Sequence, residues 1–216
     1  MLFSRKVYNV FLAIKNLLNR RRLKVHEFSI ITNSCIGAVI YHKLGVKYQS
    51  PFINCGFSDA DFVKLVRNLK VYMEQKLCFV EIDGVSYPTA YLGDILIHFV
   101  HYSSRKEAEE LWEERKKRIR YDKLYFIMSD RPSGNNYITE SDIISLSEID
   151  CCVKVEFTAN KKTNIPYTIQ LPKDPNGNYV RAYMYDKTSV LRKWRWEKYF
   201  DYVYWLNTGK VKVIEL

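Results

Sequence analysis

The stretch from Phe28 to Pro51 constrains the fold more than any other part of this chain. It opens on a short apolar run, Phe28, Ser29, Ile30 and Ile31, too short for a helix and rich in β-formers. A polar break follows at Thr32, Asn33, Ser34 and Cys35, and then Ile36 to Leu44 runs to Gly45. Ala38, Val39, Ile40, Tyr41 and Leu44 suit a helix packed on a sheet, and Gly45 supplies a left-handed stop. The segment predicts a strand, a tight turn and a helix. Such a junction can carry chemistry, because the first N–H groups of a helix lack internal partners and its dipole favours negative charge. Asn33 and Ser34 can equally be ordinary caps, and Cys35 a small buried hydrophobe.

Alternation of this kind continues. Ser58 with Asp61 reads as the cap of a helix through Gln75, with Phe62, Leu65, Val66, Leu69, Tyr72 and Met73 as its apolar face. Asp59 and Asp61 also spell a DxD pattern, but acids in a first helical turn are expected from the dipole alone. Leu77 to Ile82 predicts a strand that turns at Asp83-Gly84 onto a partner at Val85 to Tyr91. Gly93 to Tyr102 reads as one long buried strand, whose period-two alternation puts His98 and His101 on opposite faces. The pair therefore cannot chelate a metal together, and His101, nearer the strand's end, is the better functional candidate.

Ser104 with Glu107 predicts a helix to about Arg120. Leu124 to Met128 predicts a strand emptying into a polar loop with Asp130 and Arg131. A short helix from Thr139 to Ile149 and a strand from Cys152 to Phe157, leaving at Thr158 and Asn160, complete the series. Tyr167 to Leu171 and Tyr179 to Tyr185 read as a hairpin on the sheet's flank. Thr188 to Leu206 reads as one helix with more aromatics than one buried face can hold, so that some are expected in solvent.

The fold class implied is α/β, a mostly parallel or mixed sheet with helices on both faces in a three-layer, Rossmann-like arrangement. An N-terminal amphipathic helix precedes it, and a C-terminal hairpin and aromatic helix follow. The expected division is residues 1–24 as the helix and 25–216 as a single α/β domain, a length able to bury a full core. Ligands of such sheets bind beyond the carboxyl ends of the strands. That edge would collect Asn33, Ser34 and Cys35, then His101 and Tyr102, then Asp130 and Arg131, and finally Thr158 and Asn160.

Charge narrows the partners. The net charge is +10, yet residues 1 to 24 hold Arg5, Lys6, Lys15, Arg20, Arg21, Arg22 and Lys24 with no acid, leaving only +3 for the rest. A nucleic-acid enzyme spreads its cations over a folded face, so nucleic acid is not expected. The same segment carries Leu2, Phe3, Val7, Val10, Phe11, Ile14, Leu17 and Leu18 at helical spacing. A stripe of this spacing is usually core, so packing on the domain or on a second subunit is expected. An anionic membrane surface or a synthase subunit is the alternative. Five cysteines, odd in number and without a CxxC pair, and no signal peptide imply reduced thiols and a cytoplasmic, at most membrane-peripheral, protein. No Gly-rich phosphate loop or other cofactor motif appears, and the cofactor is left unknown.

Three segments, TNSCIGAVIYHKLGVKYQSP at 32 to 51, LGDILIHFVHYSSRKEAEELWEERKKRI at 92 to 119 and YDKLYFIMSDR at 121 to 131, resemble a bacterial family of unknown function. Its members go by the name of exopolysaccharide (capsule) biosynthesis proteins. The resemblance spans roughly residues 25 to 205 and leaves the N-terminal helix outside. It implies an α/β fold and a role in making surface polysaccharide. Its polar motif falls on Asn33, Ser34 and Cys35, its strand motif on Gly93, Asp94, His98, His101 and Tyr102, and its loop motif on Asp130 and Arg131.

Together these readings imply a transferase acting on an activated sugar or nascent glycan, with acyl transfer ahead of glycosyl transfer. Cys35 or Ser34 would be nucleophile or oxyanion donor, His101 general base and Asp130 its orienting acid. Asn33, Asp94, His98 and Tyr102 would contact substrate, with Arg131 anchoring a phosphate. The competing reading is a non-catalytic accessory protein that binds polysaccharide intermediates or a membrane-bound synthase.

Overall fold

A computed structural model of the chain describes residues 5–129, 149, 152–159, 165–173, 194–212 and 214. Four strands form a parallel sheet in the order β1 (Ser29–Thr32), β5 (Leu124–Ser129), β6 (Cys152–Thr158) and β7 (Thr168–Gln170). The remaining strands, β2 (Leu77–Val80), β3 (Thr89–Leu92) and β4 (Ile95–His98), make a separate antiparallel sheet. The protein is thus of the mixed α/β class.

Side-chain alternation along the parallel strands builds two cores. Ile31, Leu124, Phe126 and Met128 face α3 (Asp59–Arg67), α4 (Leu69–Glu74), the small sheet and α5 (Arg105–Lys116). Ile30, Tyr125, Ile127, Val155 and Phe157 face α2 (Ile36–Leu44), α6 (Arg195–Tyr199) and α7 (Tyr202–Thr208). Strands buried on both faces read as continuous apolar runs, as Leu124 to Met128 does.

The local signals behave as their chemistry requires. Gly45 ends α2 at φ 66, the Ser58 hydroxyl accepts from the Asp61 amide at 3.0 Å, and the Ser104 hydroxyl accepts from the Glu107 amide at 3.1 Å. Gly37 marks where α2 meets the sheet: a Cβ there would stand 2.8 Å from the Thr32 methyl.

Several expectations are corrected. The segment from Gly93 to Tyr102 is not one strand: Gly93, at φ 63, and Asp94 form a two-residue turn between β3 and β4, and the strand stops at His98. The β2–β3 hairpin forms, but Asp83-Gly84 sits inside a longer connection, with Val80 opposite Thr89. The helix from Ser58 breaks at Asn68 into α3 and α4. Thr168–Gln170 joins the main sheet parallel to β6 instead of lying on its flank; its expected hairpin partner is outside the described residues, as is most of the 139–149 helix.

The C-terminal helix is broken at Phe200 and Asp201. Reorienting the chain there lets Trp196, Phe200, Tyr202 and Trp205 all reach the interior, and none of the aromatics expected in solvent is exposed. Asp201 makes the new start by accepting from the Val203 and Tyr204 amides at 3.2 and 3.0 Å.

The N-terminal helix α1 (Arg5–Arg22) also departs from expectation. Its apolar stripe is not packed on the domain: Val10, Phe11, Ile14, Leu17 and Leu18 are 48–58% exposed. Polar side chains hold it instead. Asn19 donates to the Tyr202 hydroxyl at 2.8 Å, Lys15 pairs with Glu197 at 3.2 Å, Arg20 donates to the Lys43 carbonyl at 3.1 Å, and Arg22 pairs with Asp201. Among the described residues no helix is long and apolar enough to cross a membrane.

Candidate functional site

Cys35 stands where β1 gives way to α2, and the residues around it fix the turn. The Thr32 hydroxyl accepts from the Ser34 amide at 3.1 Å, while the two hydroxyls lie 3.2 Å apart. Asn33 is fully buried. Its amide nitrogen donates to Asp59 and to the Ser129 carbonyl, both at 3.0 Å, and its oxygen accepts from the Ser129 amide at 3.1 Å. One side chain therefore ties the exits of β1 and β5 to the start of α3. With its neighbours turned inward, Cys35 takes the N-cap position of α2 without a side-chain capping bond and is half-buried.

His101 reaches the same place from the other sheet. It lies in the turn that follows β4, exposed. That turn is held rigidly: the Phe99 amide donates to the Pro88 carbonyl at 2.9 Å and the Tyr102 amide to the Phe99 carbonyl at 3.1 Å. The buried Tyr102 hydroxyl donates to the Ile53 carbonyl at 2.7 Å and accepts from Arg115 at 2.6 Å; burial pushes its pKa up. The result is a distance of 3.5 Å between Cys35 Sγ and His101 Nε2. The two residues are 66 positions apart in sequence.

Both line a groove of about 1090 Å3 running between α1 and α2. Its walls are largely apolar, from Phe11, Leu12, Ile14 and Leu18 on one side and Ala38 and Val39 on the other. Lys15, Lys43 and Glu197 stand along it as a charged cluster. Glu197 Oε1 meets Lys43 at 2.5 Å and Lys15 at 3.2 Å, and the Glu197 and Lys43 side chains are only 2% and 8% exposed. Tyr48 and Asn54 line it as well. Asn54 has positive φ, at 59, a conformation that Asn tolerates better than most residues.

The other sequence candidates fall elsewhere. Ser34 is buried with its hydroxyl against Thr32, and Tyr102 supports the turn from beneath. Neither they nor Asn33, Asp94 or His98 line the groove. Asp94 sits in the β3–β4 turn, accepting from Tyr72 at 2.7 Å and Lys64 at 3.0 Å, and the Tyr72 hydrogen bond foremost holds its carboxyl below the usual range. His98 stacks edge-on to Tyr87 at 5.8 Å and its backbone pairs with Gly56. The physical reason is the second sheet: β4 runs in a different layer from β1, so its residues do not share the parallel sheet's carboxyl edge. Asp130, Arg131 and Asn160 lie outside the described residues. Asp59 of the DxD pattern is buried against Asn33, and among the described residues no group of three or more His, Cys, Asp or Glu could hold a metal ion.

Lys43, Tyr48, Asn54 and Glu197 were not among the residues singled out from sequence. Lys43 and Tyr48 carried a weak signal, polar groups beside the 32–45 motif; Glu197, more than 150 residues away, carried none.

An α/β protein with a cysteine–histidine pair lining an apolar groove is the class these features define. The chain belongs to the DUF1919 family, a domain of unknown function, whose sequence profile matches residues 6–207. That match begins within α1, so the helix belongs to the family's span. An uncharacterized protein of Haemophilus influenzae is 32% identical over 219 residues, covering 92% of this chain and 98% of its own length.

Proposed function

We propose that the protein is a thiol-dependent acyltransferase with Cys35 as nucleophile and His101 as general base. The observation that carries this reading is the 3.5 Å approach of Cys35 Sγ to His101 Nε2 in a groove of substrate size. His101 takes the thiol proton as the sulfur attacks an acyl carbonyl carbon. The resulting oxyanion is stabilised by amide groups at the start of α2, and collapse expels the leaving group, which takes the proton from His101. In the second half-reaction His101 removes a proton from an acceptor hydroxyl, whose oxygen attacks the thioester and releases the Cys35 thiol. The acceptor we favour is a sugar hydroxyl of a surface polysaccharide precursor; this rests on the sequence resemblance, not on the groove.

The test is mass spectrometry of the intact protein after incubation with an acyl-CoA panel. An acyl adduct on Cys35 is expected, absent in Cys35→Ala and formed about 10²- to 10⁴-fold more slowly in His101→Ala. Adducts spread over Cys55 and Cys78, or a rate unchanged by His101→Ala, would refute the assignment. Glycan binding retained in both variants, without any adduct, would instead favour the accessory reading.

A further inference from the structure

We infer that α1 is a docking helix for an anionic membrane surface. The helix is mounted on the fold the wrong way round for a structural amphipathic helix. Asn19, Lys15, Arg20 and Arg22 make its contacts with α2, α6 and α7, while Val10, Ile14, Leu17 and Leu18 point outward, each about half exposed. Residues more than half a turn apart explain this: the sheltered positions 8, 12, 15, 16, 19 and 23 recur at helical spacing on one face, and the exposed apolar positions 7, 10, 14 and 17 lie on the opposite one. A helix that merely closed the domain would bury the second set.

Charge chooses the occupant. The first 24 residues carry seven Lys or Arg and no acid, and Arg21 is exposed beside the apolar stripe. Lys15 and Arg22 are paired inward with Glu197 and Asp201, but a second copy of the chain seated on this face would bring the exposed Arg21 of two helices together, with no carboxylate on either helix to offset them. An anionic lipid surface is complementary to both properties at once, its acyl layer to the stripe and its headgroups to the cations. Docked in this way, the helix also brings the open side of the groove to the bilayer, since Ile14 and Leu18 belong to both the stripe and the groove wall. Docking does not depend on the acyltransferase reading.

The experiment is co-sedimentation of the full chain with vesicles of phosphatidylcholine alone and of phosphatidylcholine with phosphatidylglycerol in equal parts. Binding is expected to the anionic vesicles only and to weaken at high salt, as the Debye length shrinks from about 10 Å at 0.1 M to about 3 Å at 1 M. Val10→Glu with Leu17→Glu, two residues outside the groove lining, should abolish it while leaving the melting temperature unchanged. Arg21→Gln, a change that leaves the stripe intact, should lower affinity about fivefold. No binding to anionic vesicles, binding indifferent to both sets of variants, or a dimer in sedimentation equilibrium that the double variant converts to monomer would each overturn the proposal.

Discussion

Replacing Glu197 by Gln is expected to destabilise the protein more than any other single change along the groove. Glu197 pairs with both Lys15 and Lys43, and it joins α1, α2 and α6. Lys43, with its side chain 8% exposed, cannot recover a full hydration shell when the carboxylate is removed. Breaking a buried ion pair by removing one partner costs about 3–5 kcal/mol. Lys15 adds little, because it is 34% exposed and returns to water. Lys43→Met is the milder single change: Glu197 keeps Lys15, and its other oxygen still accepts from the Trp194 amide at 3.3 Å, so about 1–2 kcal/mol is expected. The double variant removes both charges of the pair and should cost about 1–2 kcal/mol, well below the sum of the singles. At about 2–4 °C per kcal/mol for a chain of this size, Glu197→Gln lowers the melting temperature by about 10 °C. Urea unfolding of the four proteins measures the cycle. A Glu197→Gln cost below about 1 kcal/mol, or strict additivity, would refute the claim that this pair is desolvated and coupled.

Three further outcomes follow from the same geometry. Gly37→Ala should destabilise by about 1–2 kcal/mol despite alanine's better helix propensity, because its Cβ would stand 2.8 Å from the buried Thr32 methyl; equilibrium unfolding checks this, and a gain in stability would refute it. Asn33→Leu removes three hydrogen bonds at the β1–β5 exit and should cost about 3 kcal/mol, with the Cys35–His101 approach disturbed and thiol alkylation at Cys35 altered. Tyr72→Phe should raise the Asp94 carboxyl toward its ordinary range in an NMR titration. Since the folded pKa of Asp94 is depressed, its stabilising contribution is present above the unfolded value and lost as pH falls through the folded one; the difference between wild type and variant should vanish in acid.

The Cys35–His101 pair shows how the candidate site could be read and where the reading failed. The turn after β1 was legible because strand formers, a polar break and Gly45 all act within a few residues. His101 was chosen for standing at the end of a strand in the same sheet as β1. The structure delivers it from a turn after β4 in a separate sheet, so the two residues meet by another route than the one that nominated them. Tyr102 follows from the same assumption and Asp94 and His98 from the family resemblance, and none of the three lines the groove with Cys35 and His101.

By itself the sequence determined what local forces decide. The Ser58 and Ser104 caps, the Gly45 stop and the apolar runs of β1, β5 and β6 follow from hydrogen bonds and dihedral preferences among near neighbours, and they suffice for the α/β class. What only the tertiary structure decided are the choices that local forces leave nearly balanced. Gly93-Asp94 turns because Leu92 and Ile95 pair across it; the C-terminal helix breaks at Asp201 because four large aromatics gain burial on two faces; and β4 pairs with β3 instead of entering the parallel sheet. The face of α1 was settled in the same way. Its apolar stripe was plain in the sequence, but hydrogen bonds and ion pairs from Asn19, Lys15, Arg20 and Arg22 to residues as many as 183 positions away turn that stripe outward. Periodicity reports that a helix has an apolar face, whereas only long-range pairing selects which face meets the protein.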